Sequence, residues 1–531
     1  MPAFQNRAQQ STSEELTEFS NYGPFGGIQS EVPLDLVERY GFTDCLNVIL
    51  RRAVGSVRSG FETLPALPAP STEPIMGVAD FFDTAGARVQ VVMTPTRLLW
   101  WDPGSQNWTQ ITGVLTGDAT TLYTWSVVNQ KLCFSQGVDP VQLWDGITAG
   151  FAVASVDAKA ARFLFELDNH LIAAYTNEGG QPYTQRVRWT AAGDPSDWVG
   201  FNAGVVDILG DLGPITGGCR IFQTGYIFHQ WGITQMVPTG QTSNPFQFIP
   251  ITTRSRGNIV PYSLAVAGEE FACYVGKDNV YMFNGTNSTP IGDSPMEGKL
   301  RIGARSRIFY DLGIVNQAAI TAYISDNVNG QNYAAYWLVL PGVAIWVYSL
   351  DEQSWTRFTF DNVYSQIGRF YAQHFVRWID LIGTWQQQNW TWDSLTANNP
   401  FDSILLGSNV GVGNLVEFTN VSEKPWAING VFVLADPRHN KSIKKFRITI
   451  LDNGPVTFTV TLTNQFGNVV TQTATMGTAS GLNISQVLAL PISGIRFAWQ
   501  INGEAGQPFT LVEFAPMFMT SGEQRGGAVD S

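Results

Sequence analysis

Apolar and polar residues alternate along this chain in short runs, and Gly, Pro, Asn and Asp break the runs at close intervals. Period-two patterning between turn residues predicts β-strands. One composite element keeps returning: an apolar strand ends in an aromatic, a tight polar turn follows, and a second short strand carries another hydrophobic. Leu98-Leu99-Trp100-Trp101-Asp102-Pro103-Gly104 leads to Trp108, and Val141-Gln142-Leu143-Trp144-Asp145-Gly146 leads to Phe151. Val280-Tyr281-Met282-Phe283-Asn284-Gly285 leads to Ile291, and Ile345-Trp346-Val347-Tyr348-Ser349-Leu350-Asp351 leads to Trp355. Leu415-Val416-Glu417-Phe418-Thr419-Asn420 is the last instance, while Arg188-Trp189 through Trp198 and Ile233 through Phe248 fit less closely. Asp-Gly or Asn-Gly after alternating apolar residues is a strong hairpin signal.

In chain order the first five of these elements lie about 45 residues apart, after which the spacing lengthens. A period near 40–50 residues with four short strands per unit predicts a β-propeller. A single four-stranded blade cannot bury both faces. Blades packed in a ring cover one another and leave only short edges. The competing arrangements are an array of β-sandwiches or an irregular β-solenoid.

The flanks read differently. Residues 1–62 predict an N-terminal arm and opening strands, with Cys45–Phe61 read as two strands around a turn near Gly55. A Pro-rich connection follows, with Pro65, Pro68, Pro70 and Pro74. The propeller-like domain is expected over 63–430, with a Trp/Gln-rich insertion near 361–399. From 431 to 521 the alternation becomes cleaner, as in Val456-Thr457-Phe458-Thr459-Val460-Thr461-Leu462, and predicts a C-terminal β-sandwich. Residues 522–531 are Gly-rich and predict a loose tail. The fold class is therefore all-β.

Composition sharpens the functional reading. Charged residues are only 14% of the 531, and the formal net charge is −13. So acidic a chain does not suit a protein whose main task is gripping nucleic acid, although it suits a wall that nucleic acid slides past. The N-terminus has no basic and apolar leader, and no run is long enough to span a membrane. Synthesis in a cytoplasm and no membrane insertion are the expectation.

Candidate chemistry is sparse. Cys45, Cys133, Cys219 and Cys273 form no C-x-x-C pair and predict buried free thiols. His170, His229, His374 and His439 are scattered and match no metal motif. No nucleophile elbow and no phosphate-binding glycine loop occurs. The Asp-box of propeller glycosidases, Ser-x-Asp-x-Gly-x-x-Trp, is missed twice: Asp102-Pro103-Gly104 meets Trp108 one residue late, and Ser349-Leu350-Asp351 lacks the Gly. Carboxylates paired across a propeller mouth need not be adjacent in sequence. Trp385, Trp390 and Trp392 could stack on a sugar or pack a blade or subunit contact, and packing is the commoner use. Arg51, Arg52, Arg58, Arg254 and Arg256 could touch phosphate, but salt links or exposed loops fit the acidic chain better. No catalytic, cofactor-binding or metal residue is assigned, no cofactor is expected, and DNA-channel-lining residues are not identifiable.

Taken in order, these features resemble the tail nozzle, or tail tube hub, proteins of short-tailed bacteriophages, which are relatives of the tubular tail protein and the packaged-DNA stabilisation protein. Three segments carry the likeness: Leu46-Asn47-Val48 to Arg58-Ser59-Gly60-Phe61; Trp189 to Trp198, leading to Ile221–Phe228; and Tyr274 to Gly285, leading to Pro290-Ile291-Gly292. The likeness covers Leu46 to Phe418, and the Trp/Gln-rich insertion departs from it. The resemblance implies a structural, non-enzymatic virion tail protein that forms a homohexameric ring below the portal and adaptor proteins. It also implies transient passage of double-stranded DNA during ejection, and docking of tail fibre, needle or plug proteins. The alternatives are a carbohydrate-binding host-recognition propeller and, behind it, a propeller glycoside hydrolase.

Overall fold

The computed structural model describes residues 17–18, 26–31, 33, 37, 41–51, 54–58, 60–70, 72–251, 256–295, 301–328, 331–370, 403–408, 415–418, 424–433 and 440–520. The chain divides into two compact units. One is Arg58–Lys424; the other joins Met1–Val57 to Pro425–Ser531.

Arg58–Lys424 is a β-propeller. Among the described residues its strands make seven four-stranded antiparallel blades. Blade I comprises Gly77–Phe82, Arg88–Met93, Leu98–Asp102 and Asn107–Ile111. Blade II comprises Thr124–Val128, Lys131–Ser135, Gln142–Trp144 and Ala152–Val153. Blade III comprises Ala160–Leu167, His170–Glu178, Gln181–Trp189 and Gly204–Asp207. Blade IV comprises Ile215–Ile221, Thr224–His229, Ile233–Pro238 and Phe246–Ile251. Blade V comprises Ala265–Ala267, Phe271–Val275, Val280–Phe283 and Ser288–Pro290. A short hairpin and the helix Arg305–Leu312 separate it from blade VI, which comprises Thr321–Val328, Gln331–Leu340, Ala344–Ser349 and Ser354–Phe358.

Blade VII closes the circle. Tyr364–Phe370, Ser403–Ser408 and Leu415–Phe418 pair in turn, and the fourth strand is Phe61–Thr63 from the start of the domain, with Val416 opposite Thr63 and Phe418 opposite Phe61. The innermost strands of successive blades adjoin, except that Ile215–Ile221 of blade IV meets Phe271–Val275 of blade V, and Tyr364–Phe370 meets Gly77–Phe82. Closure by a strand from the other end of the domain ties both termini of the ring into one sheet, so the ring cannot open without breaking ladder hydrogen bonds.

The recurring sequence element is the third strand, the turn and the fourth strand in blades I–VI, and the third strand alone in blade VII. Its aromatics fill the layers between blades. Trp101 lies 5.2 Å from Trp108 and 5.6 Å from Phe370 of blade VII. Trp144 lies 5.8 Å from Phe81 of blade I, and Trp189 lies 5.5 Å from Phe246 of blade IV. Phe283 lies 5.1 Å from Tyr226 and 5.7 Å from Phe228, both of blade IV. The turns are set by side chains: Asp145 accepts from the Ile147 and Thr148 amides, and Asn284 accepts from those of Thr286 and Asn287. Gly146 and Gly285 supply the positive φ, +83° and +90°, that these turns require.

The other unit is a β-sandwich, drawn together from both ends of the chain. One sheet orders Val48–Arg51, Val54–Val57, Thr510–Thr520, Lys441–Leu451 and Asn483–Gly494. The other places Asp44–Leu46 beside Trp426–Val433, then Arg496–Gly503, Val456–Asn464 and Val469–Met476. Strand Val456–Asn464 alternates buried and half-buried residues along its whole length, as one covered face requires. Phe514 packs 4.4 Å from Trp499, and Phe509 packs 3.9 Å from Trp426.

The boundaries therefore differ from the sequence reading. The opening strands Asp44–Leu46, Val48–Arg51 and Val54–Val57 belong to the sandwich rather than to a separate N-terminal segment, and the propeller starts at Arg58 rather than 63. Arg51 pairs with Val54, and Gly55 lies inside the ladder opposite Leu50 rather than in a turn. Asn47 separates the first two strands. Its φ is +57°, which Asn tolerates better than most residues, and its side-chain amide donates to the Pro425 carbonyl at 2.8 Å. The Trp-bearing part of the insertion and residues 522–531 lie outside the described residues.

Candidate functional site

Two places in the propeller gather polar side chains against the trend of an apolar ring. The first is its closure. Arg58 is buried, donates to the Thr359 carbonyl at 3.1 Å, and places its guanidinium 4.6 Å from the Phe360 ring centre and 5.1 Å from that of Phe61. A planar cation between aromatic faces gains from both ring quadrupoles while its N–H groups stay bonded. Arg97, also buried, fastens the Pro-rich connection beside the closure. It donates to the Pro68 carbonyl at 2.8 Å and to Glu73 at 2.9 Å.

The second place is the propeller axis. Six blades and the connection leading into blade V line a cavity of about 220 Å³ there, through residues such as Gly77, Trp125, Phe163, Gly218, Tyr262, Thr321 and Gln366. Tyr262, from the connection leading into blade V, packs against both the core of blades I–II and that of blades III–IV, so it reaches across the axis. Arg162, on the inner strand of blade III, sets its guanidinium 5.9 Å from the Tyr262 ring and 4.9 Å from that of Tyr175. Among the described residues no carboxylate lines the cavity.

On the outer part of blade III, Glu178 receives two hydrogen bonds from Arg188, at 2.8 and 2.9 Å. Arg186 joins Glu178 at 3.2 Å to Asp207 at 2.7 Å. The Arg188 hydrogen bonds, with help from Thr176 and the Arg186 charge and against the cost of burial, hold the Glu178 carboxyl at about 2.

The residues singled out in sequence fall elsewhere. The four cysteines are buried and unpaired, and burial pushes the Cys133 thiol up to about 12. His170 bonds the Thr190 carbonyl at 2.5 Å. His229 is tied to the Gly213 carbonyl and to Thr234, both at 3.1 Å, and burial lowers its pKa. Arg256 is exposed, at the start of the connection into blade V. Arg51 lies in a sandwich strand. His374, Trp385, Trp390, Trp392, His439, Arg52 and Arg254 lie outside the described residues. Sequence reasoning did not single out Arg162, Tyr175, Tyr262 or Gln366. Among the described residues no three His, Cys, Asp or Glu side chains cluster as a metal site would need, and no helix is long and apolar enough to cross a membrane.

Ring closure and blade order define a seven-bladed β-propeller joined to a β-sandwich. No family model and no curated protein matches the chain. Among solved structures, the extracellular domain of a hybrid two-component system from B. thetaiotaomicron matches with a TM-score of 0.40 at 9% identity, over 81% of this chain and 47% of that one. The chain thus spans about half the length of that structure. The Neurospora crassa Pan2 WD40 domain matches at 9% identity with a TM-score of 0.38, over 70% of this chain and 98% of its own. YCF48 bound to D1 peptide matches at 12% identity with a TM-score of 0.37, over 68% and 97% of the two chains.

Proposed function

We propose that this chain is a non-enzymatic structural subunit of a bacteriophage tail, forming with its sister copies a ring below the portal and adaptor that retains and then conducts the viral DNA. The observation that carries the reading is the ordered set of three sequence segments that resemble tail nozzle proteins. In the folded chain they fall at structurally distinct places: Arg58 and Phe61 at the ring closure, Trp189–Trp198 in the loop between the outer strands of blade III, and Tyr274–Gly285 in the central hairpin of blade V.

Two physical features support it. The cavity on the propeller axis holds about 220 Å³, room for about seven waters at ~30 Å³ each, whereas the major groove of B-DNA alone is about 12 Å wide. A duplex conduit built from this protein must therefore run between copies, as in a ring of subunits. Blade III also exposes large apolar side chains: Phe201 is 81% exposed, Leu209 84% and Val199 74%. Such residues suit permanent burial against a sister copy or another tail protein. For the hydrolase alternative, acids would have to converge at the axis, and the cavity lining contains none.

The test is localisation. Antibody raised against the purified chain should label the tails of intact phage particles, with the label at the end of the tail next to the capsid. Particles that carry no label, together with saturable glycan binding by a purified monomer, would favour the host-recognition propeller instead.

A further inference from the structure

We infer that the axial cavity of the propeller is a binding site for one carboxylate group, held by Gln366 in its wall and by Arg162, whose guanidinium stands beside the walls Tyr262 and Phe163. This inference rests on the propeller alone and stands whether or not the chain belongs to a virion.

Three observations converge on it. First, Gln366 lines the cavity at 6% exposure, and its amide nitrogen has no hydrogen-bond partner. A buried donor without an acceptor is costly, so its retention at a cavity wall points to an acceptor that arrives from outside. Second, Arg162 has no carboxylate partner among the described residues, although most of the other arginines in the blades do. Its guanidinium rests beside Tyr175, Tyr262 and Phe163, and the last two are cavity walls. Tyr262 and Tyr175 also act as its polar partners, and the rest of the five-donor fork is open to an oxyanion.

Third, the backbone is distorted where these side chains are placed. Tyr175 lies opposite Arg162 in blade III, at a register shift between Ala174 and Thr176, and its φ is +56°. For an aromatic residue that is a true outlier. Gln366 likewise follows a register shift in blade VII. Bulges re-aim side chains, and strain of this kind collects at binding sites.

The size selects the ligand. About 220 Å³ is below the usual range for a drug-sized molecule but takes an acetate or propionate head, the end of an Asp or Glu side chain. The glycine backbone and aromatic walls would cover its methylenes, while the two donors meet its oxygens. A free small acid and an acidic side chain on a partner polypeptide share this chemistry.

Calorimetric titration of the purified full chain with sodium propionate, against propionamide at matched ionic strength, tests the site. Propionate should bind saturably, and at least tenfold more tightly than propionamide. Arg162→Gln and Gln366→Leu should each weaken propionate severalfold or more, with far-UV circular dichroism unchanged. Tyr175→Gly should relieve the backbone strain, raising or preserving Tm, yet still weaken binding; a purely structural tyrosine would not separate the two. Acetyl-Gly-Glu-Gly-amide binding as tightly as propionate would assign the site to an acidic side chain. Its exclusion while propionate binds would assign the site to a free acid. Equal binding of propionate and propionamide, no saturable signal, or full affinity in both Arg162→Gln and Gln366→Leu would overturn the inference.

Discussion

At the residue scale, a few buried polar side chains do work that the apolar layers cannot. Arg58 is the clearest. Its side chain fills the space between Phe61 and Phe360 and satisfies the Thr359 carbonyl, so truncation would leave a void and an unpaired acceptor together. Arg58→Ala should lower stability by about 3 kcal/mol in urea unfolding, and a midpoint unchanged from the parent would contradict the clasp. Glu178 gives a pH signature. Its folded pKa, about 2, lies below the unfolded value near 4.3, so the paired carboxylate stabilises the fold above that unfolded value. The contribution shrinks as pH falls through the folded pKa. Glu178→Gln should therefore lower Tm at neutral pH, and the gap from the parent should close as pH drops below about 4. A gap independent of pH would show that the ion pairs are not its source.

At the element scale, the propeller depends on close approach of neighbouring blades. A Cβ at Gly368, on the inner strand of blade VII, would lie 2.6 Å from the Val78 side chain of blade I. Gly368→Ala should cost about 1–3 kcal/mol by overpacking the seam, and a neutral result in urea would mean that the seam is looser than described. The third strand and the turn after it were the legible part of most blades. All seven instances found in sequence, including the two poorer fits, fall one per blade, because an apolar run ending in an aromatic and a polar turn is a local signal. The inner strands were less legible. Lys131–Ser135 and Phe271–Val275 are buried almost throughout, so their alternation disappears. Pairing of Phe61–Thr63 with Leu415–Phe418 spans most of the chain and leaves no local trace. The axial cluster was invisible for a related reason: nothing in the letters around Tyr175 announces a bulge with positive φ.

At the scale of the whole molecule, the two units take their strands from unequal parts of the chain. The propeller is continuous, whereas the sandwich uses both ends, and this is why the sequence reading placed the opening strands in a segment apart from the sandwich. The ring reading makes the exposed apolar face of blade III a subunit contact. Phe201→Asp should leave Tm unchanged, because the side chain is 81% exposed, and should reduce assembly. Unaltered assembly would move the contact elsewhere. The central claim is assembly itself, and native mass tests it most directly. Mass photometry of the purified full chain should show a species of six copies that persists on dilution. A monomer at every concentration would contradict the ring.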